Sequence, residues 1–225
     1  MSTLATELGH PSVRTHPVDV HVPPVLEDRN RLTTGFRIFL AIPHLLLVGG
    51  PVAFAASWTW SSPEGARTGW GGGGVLGAAA AVAALIGWFA ILFTGRYPDG
   101  LRSLATLYLR WRVRAVAYTA LLRDEYPPFG DGPYPAELVL APREGPRDKL
   151  TVGFRIFLAI PHLVCVWALG IAWCLTTLVA WFAILFTGRY PEALYHFAVG
   201  VLRWNTRVEA YLLLLHDEYP PFTLE

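Results

Sequence analysis

Charge is scarce in this chain. Only 16% of its 225 residues are Asp, Glu, Lys or Arg, where a soluble domain carries about a quarter, and that shortage argues against an ordinary water-facing surface. The net charge of +1 gives nucleic acid no electrostatic hold, so no nucleic-acid partner is expected. Cysteine is nearly missing too. Cys165 and Cys174 stand in apolar sequence without CxxC spacing, which removes the case for a disulfide framework or thiolate metal site and leaves them as buried packing thiols. Lys149 is the only lysine, a bias toward arginine that suits a GC-rich bacterial genome. Met1 to Val22 has no apolar core, so no cleavable leader is expected. The run Gly71 to Gly74 lacks the lysine and strand context of a phosphate loop. No nucleophile triad and no metal-ligand spacing is visible. These absences leave no enzyme class with support, and neither a cofactor nor a metal is expected.

What the chain does have is apolar sequence, 53% of it with mean hydropathy +0.39, and that sequence is written twice. Gly35 to His44 recurs letter for letter as Gly153 to His162, 118 positions on; Trp88 to Pro98 recurs as Trp181 to Pro191, 93 positions on. Copy one therefore carries 25 extra residues between the two blocks. Asp124 to Phe129 returns as Asp217 to Phe222. A self-similar chain of this kind is one structural unit used twice. The insertion, about residues 58–74, holds Trp58, Trp60 and Trp70 with the glycine run, and it reads as a loop with membrane-interface aromatics.

Around that loop lie two apolar stretches, Phe36 to about Ser57 and Val75 to Phe93, each close to the roughly 20 residues that span hydrocarbon. In copy two the stretch Phe154 to Phe186 is too long for one upright span, so the reading is a tight hairpin turning near Ala168-Leu169-Gly170. Gly95 and Gly188 supply helix stops, and Pro98 and Pro191 open the next helix. That helix is amphipathic in both copies: Leu101, Leu104, Tyr108 and Trp111 share a face in one, Leu194, Phe197, Val201 and Trp204 in the other. Before each hairpin, Pro17 to Val22 and Pro135 to Leu140 read as short strands able to pair.

The expected fold class is thus mainly α and integral to the membrane. It comprises two parallel repeats, each of short strand, transmembrane helical hairpin and cytoplasmic amphipathic helix, four membrane helices in all. Residues 1–15 read as a disordered tail, 16–129 as repeat one and 130–225 as repeat two. Between the first and second apolar runs only Glu64 and Arg67 are charged. The arginine excess elsewhere places both termini in the cytoplasm, with the copies related by an axis along the membrane normal.

The repeated Ala-Ile-Pro-His, Trp-Phe-Ala-Ile-Leu-Phe-Thr-Gly-Arg-Tyr-Pro, Leu-Arg-Trp and Asp-Glu-Tyr-Pro-Pro-Phe resemble the bacterial membrane family catalogued as domain of unknown function 4389, over nearly all of Val18 to Phe222. The resemblance implies a multi-pass protein of the bacterial inner, cytoplasmic membrane. It carries no catalytic residues, and the insertion departs from its compact pattern.

Four ionisable groups fall within apolar sequence: Arg37 and His44, two helical turns apart, and their repeats Arg155 and His162. Three uses are open for them: structural hydrogen bonding, a proton or solute path between the copies, or axial haem ligation by His44 and His162. Asp124, Glu125, Asp217 and Glu218 end the amphipathic helices, where the macrodipole disfavours negative charge, so basic partners are expected, with Arg96 and Arg189 the candidates. Arg102, Arg110, Arg114, Arg203 and Arg207 are expected at the lipid headgroups with Trp111 and Trp204 beneath them. The function this reading favours is a non-enzymatic scaffold or accessory subunit that presents its cytoplasmic helices to membrane lipids and a protein partner, with homo-oligomers allowed. A transporter or a haem-binding redox subunit are the alternatives.

Overall fold

The computed structural model describes residues 16–50, 58–62, 65–69, 73–142 and 147–225. The expected tail, 1–15, and much of the insertion lie outside them. Among the described residues the chain runs β1 (Val18–His21), α1 (Arg31–Val48), β2 (Trp58–Ser62), β3 (Gly65–Gly69), α2 (Gly74–Thr94), α3 (Asp99–Thr119), β4 (Glu137–Leu140), α4 (Lys149–Thr187) and α5 (Glu192–Leu212). It is mainly helical, and α1, α2 and α4 are each long and apolar enough to cross a membrane. β1 pairs antiparallel with β4, Val18 opposite Leu140 and His21 opposite Glu137, and β2 with β3 inside the insertion.

The hairpin expected in copy two does not form. α4 is one unbroken helix of 39 residues that passes straight through Ala168-Leu169-Gly170. A turn there would free about four amides and four carbonyls, which the unbroken helix keeps paired. Among the described residues three apolar helices stand where four were expected.

Asn30 and Asp148 cap the starts of α1 and α4 with their side-chain oxygens, and Gly95 and Gly188, in the left-handed conformation at φ 74° and 73°, end α2 and α4. The two ends of α4 then fix the arrangement of copy one. The Trp181 indole, near the end of α4, donates to the Thr34 carbonyl in the first turn of α1 at 2.9 Å; the Trp88 indole, near the end of α2, donates to Val152 in the first turn of α4 at 2.8 Å. At 1.5 Å per residue α4 is about 58 Å long. Its two partners therefore sit far apart, and α1 and α2 lie end to end alongside it, antiparallel. At their joint Gly74 (φ 65°) comes so close that a Cβ would lie 2.5 Å from the Leu47 carbonyl carbon.

α3 runs back along α2 and α1, and α5 back along α4. Tyr108 meets Gly77, Trp111 meets His44, and Arg37 stands over Tyr118. The sheet forms a third layer, β1 on α5 and β4 on α3. α1, α2 and α4 each bury one stripe against the layer below: Thr34, Arg37, Ala41, His44 and Val48 in α1, and Val152, Arg155, Ala159, His162 and Val166 at the matching positions of α4. Their remaining circumference is exposed and apolar.

Candidate functional site

Each copy builds the same clasp, and the repeated motifs are its parts. α3 and α5 end in a reversal centred on Leu121 and Leu214, leucines at φ 64° and 61°, a conformation usually left to glycine. The Leu122 amide reaches back to Ala117 at 2.9 Å and Leu215 to Ala210 at 3.0 Å, which closes the last turn. Buried arginines hold the reversal: Arg29 donates to the Leu121 carbonyl at 2.6 Å and Arg147 to Leu214 at 2.8 Å.

The reversal turns the acidic tail onto α1 and α4. Asp124 accepts from Arg29 at 2.8 and 2.6 Å and from Arg37; Asp217 accepts from Arg147 at 2.7 Å and from Arg155. Arg37 also donates to the carbonyls of Tyr118 (3.2 Å) and Arg123 (2.8 Å), and Arg155 to that of Tyr211 (2.9 Å), each guanidinium lying over a tyrosine ring at 4.7 and 4.3 Å. Burial alone would raise the Asp124 carboxyl, but the hydrogen bonds and charges of Arg29 and Arg37 outweigh it and hold its pKa below the usual value.

Two turns further along the same helical faces, His44 and His162 are fully buried in aromatic cages. Trp111 donates to His44 Nδ1 at 3.0 Å while Phe129 stacks on the ring at 4.5 Å; Trp204 donates to His162 Nδ1 at 3.2 Å with Phe222 at 4.0 Å. An indole N–H needs a lone pair to donate to, so Nδ1 is unprotonated and the proton is assigned to Nε2. Both Nε2 atoms are buried without a hydrogen-bond partner among the described residues.

Several expected partners differ from those found. Asp124 and Asp217 belong to Arg29, Arg37, Arg147 and Arg155, not to Arg96 and Arg189, which are exposed; Arg189 faces Glu27 at 3.6 Å. Glu125 pairs with its neighbour Arg123, and Glu218 is exposed. The two histidines do not face one another across the copies, as a shared haem would need, because each is enclosed by tryptophan, tyrosine and phenylalanine of its own copy. Of the side chains expected at lipid headgroups, Arg114, Trp204 and Arg207 are buried and Arg102, Arg110, Trp111 and Arg203 half-buried. Arg203 and Arg207 bind the β1 carbonyls of Val20 and Val18, and Arg110 and Arg114 bind the Gly130-Asp131 loop. Cys165 is half-buried and packs against Val166, Trp204 and Val208, whereas Cys174 is exposed rather than buried. Among the described residues no three His, Cys, Asp or Glu side chains gather to hold a metal.

Two groups of residues escaped the sequence reading. Arg29 and Arg147 were signalled by the extension of the repeat upstream, Arg29-Asn30-Arg31-Leu32-Thr33 against Arg147-Asp148-Lys149-Leu150-Thr151. The other group is a fully buried network between α3 and α5: Glu209 accepts from Arg112 at 2.6 Å and Tyr108 at 2.7 Å, and Arg112 donates to the Val48 carbonyl at 2.9 Å. Burial, then the Glu209 charge, drives the Tyr108 hydroxyl well above its ordinary pKa. Glu209 inside an apolar helix face was its signal. A cleft of about 410 Å³ opens at the end of α4, lined by Glu27, Arg29, Arg31, Gly188 and Arg189 among others. It lies at the edge of the molecule, where the start of α1 in copy one meets the end of α4 in copy two.

With this geometry in view, the family model described as "Domain of unknown function (DUF4389)" matches residues 73–130 and 149–223, more than half of the chain in two segments consistent with tandem copies. No curated protein and no solved structure matches it.

Proposed function

Because the chain belongs to the DUF4389 family, whose description carries no activity, we propose from its geometry that it is a non-enzymatic scaffold or accessory subunit embedded in the bacterial cytoplasmic membrane. The apolar helices α1, α2 and α4 are its lipid-facing part, and α3, α5, the sheet and the Tyr-Pro-Pro-Phe tails form a cytoplasmic body that carries both termini and meets a partner protein. One observation supports this reading above the others. Of the large apolar side chains left exposed, 27 lie on α1, α2 and α4, while Arg37, His44, Arg155 and His162 of the buried stripes turn to the other side. Moving each out of water gains on the order of 1 kcal/mol, tens of kcal/mol together, far more than folding stability itself. A patch of that size on a soluble monomer is a liability.

The clasp argues for the non-enzymatic part. Arg37 and Arg155 direct their terminal amino groups to carbonyls and a carboxylate, and His44 and His162 receive a tryptophan N–H, so these groups serve to tie the tails to the helices. The test is fractionation of the full chain expressed in bacteria, followed by affinity purification in mild detergent. The protein should stay with membranes through alkaline carbonate and bring a stoichiometric partner; recovery in the soluble fraction would overturn the membrane reading, and a protein pure and alone would overturn the accessory role.

A further inference from the structure

The apolar surface has a shape that crossing a bilayer does not explain. α4 runs about 58 Å, while the hydrocarbon core is about 30 Å thick. Between Lys149 and Arg189 the only formally charged residue is Arg155, buried toward α5. An upright α4 would leave close to half of its outward face, still charge-free, in water. Tilt does not rescue it, since spanning about 30 Å with 58 Å of helix needs about 60°, beyond the roughly 40° limit of observed tilts.

The charges give a second, independent argument. α1 begins where α4 ends, and α2 ends where α4 begins, so one end of the apolar layer carries exposed Arg31 and Arg189 and the other exposed Arg96 and Lys149. A spanning protein is more basic at its cytoplasmic end; here the ends match. The asymmetry lies at right angles to the helices, with ion pairs such as Arg112 with Glu209 and Arg155 with Asp217 all beneath the layer. The contacts between copies are reciprocal, Thr34 with Trp181 and Val152 with Trp88, as across a twofold axis perpendicular to the long helices.

We propose that α1–α2 and α4 lie flat within one leaflet, as an antiparallel raft whose occupant is the acyl-chain layer of that leaflet, with the twofold along the membrane normal. A helix layer about 10 Å thick fits in the roughly 15 Å of hydrocarbon that one leaflet offers. Arg31, Arg96 and Lys149 at its ends meet anionic headgroups, each interaction screened by salt, while Arg189 faces Glu27. The chain then never crosses, and its termini share a side by construction.

This rests on the membrane reading above, and the test separates the two. Full-length protein with Cys165→Ala and Cys174→Ala receives single cysteines at the exposed positions Phe154→Cys, Val164→Cys, Ile171→Cys and Phe182→Cys, is spin-labelled, and is reconstituted into phosphatidylethanolamine–phosphatidylglycerol vesicles. Flotation reads membrane embedding, and collisional access to oxygen against a nickel chelate reads depth. Phe154 and Phe182 are about 42 Å apart along the axis. Lying flat, all four labels share one depth to within about 5 Å, a helix radius. Spanning, the end labels differ in depth by about 30 Å or more even at the greatest tilt. Floating protein with that gradient overturns only the flat arrangement; protein that stays in solution, as a monomer or with a second copy covering the apolar face, overturns both.

Discussion

The two copies carry the same buried stripe, yet their long helices differ at one place. α4 runs on through Val166, whereas its counterpart in copy one stops at Val48, 118 positions earlier, and resumes at Gly74. A broken helix leaves carbonyls without partners, and the molecule answers at that point. Arg112 donates to the Val48 carbonyl, and Glu209 balances the buried guanidinium. The positions 93 away in the repeat are Asn205 and Val116, neither of them charged. An insertion between identical blocks has thus been matched by one charge in each of the copies. The lesson is that duplicated sequence diverges where the backbone needs a different partner, while the clasps, whose backbone is alike, remain the same.

That comparison can be broken most forcefully at the network. Arg112→Ala leaves Glu209 buried and unpaired and should cost about 3–5 kcal/mol, whereas Asn205→Ala should cost about 1 kcal/mol; equal losses in denaturant unfolding in detergent would remove the special status of the joint. Next come the clasps. Asp124→Ala and Asp217→Ala each strand two buried arginines and should cost about 3 kcal/mol apiece, alike in both copies. A large difference between them would mean the copies are not held by the same device.

Joining Val48 directly to Gly74 should give a continuous helix, visible as a gain in helical circular dichroism. In that background Arg112→Asn with Glu209→Val should cost nearly nothing, against about 1–3 kcal/mol in the full chain for the exposed need of the Val48 carbonyl. An undiminished cost would show that the pair serves the α3–α5 contact rather than the break.

The pH dependence follows from Asp124. Its folded pKa is lowered, so its contribution is fully present above the ordinary carboxylate range and is lost as pH falls through the lowered value. Unfolding midpoints at pH 7 and pH 3 should therefore differ, and Asp124→Asn should flatten that difference; an unchanged acid limb would deny the clasp its charge. The smallest effect is expected from Trp111→Phe and Trp204→Phe, about 1 kcal/mol each for one lost hydrogen bond to histidine, with equal size in the two copies as the check.

Much of this was legible without coordinates. The two-turn spacing put Arg37 with His44, and Arg155 with His162, on one helical face, the glycines at 95 and 188 marked where helices end, and the pairing strands were bounded by prolines. Arg37, His44, Trp111, Asp124 and Phe129 stood out because each is spelled twice, and they converge on one clasp. The partners were harder. Arg29 lies 95 positions from Asp124 and Glu209 lies 97 from Arg112, and no local periodicity encodes which distant charge a buried carboxylate will meet.

What the sequence determined by itself is the duplication, the apolar character of the long helices, and the shared face of Arg37 with His44 and of Arg155 with His162, since these follow from spacing along one chain and from the hydrophobicity of each side chain. What only the tertiary structure decided is that α4 is unbroken, that α1 and α2 lie end to end beside it, and that Arg112, Arg114 and Arg207 are enclosed by protein. A largely apolar run of 39 residues has the same pattern straight or folded in two. The choice depends on whether polar groups exist nearby to satisfy the backbone that a turn would open, and those groups come from elements distant in sequence, such as Arg112 at the copy-one joint.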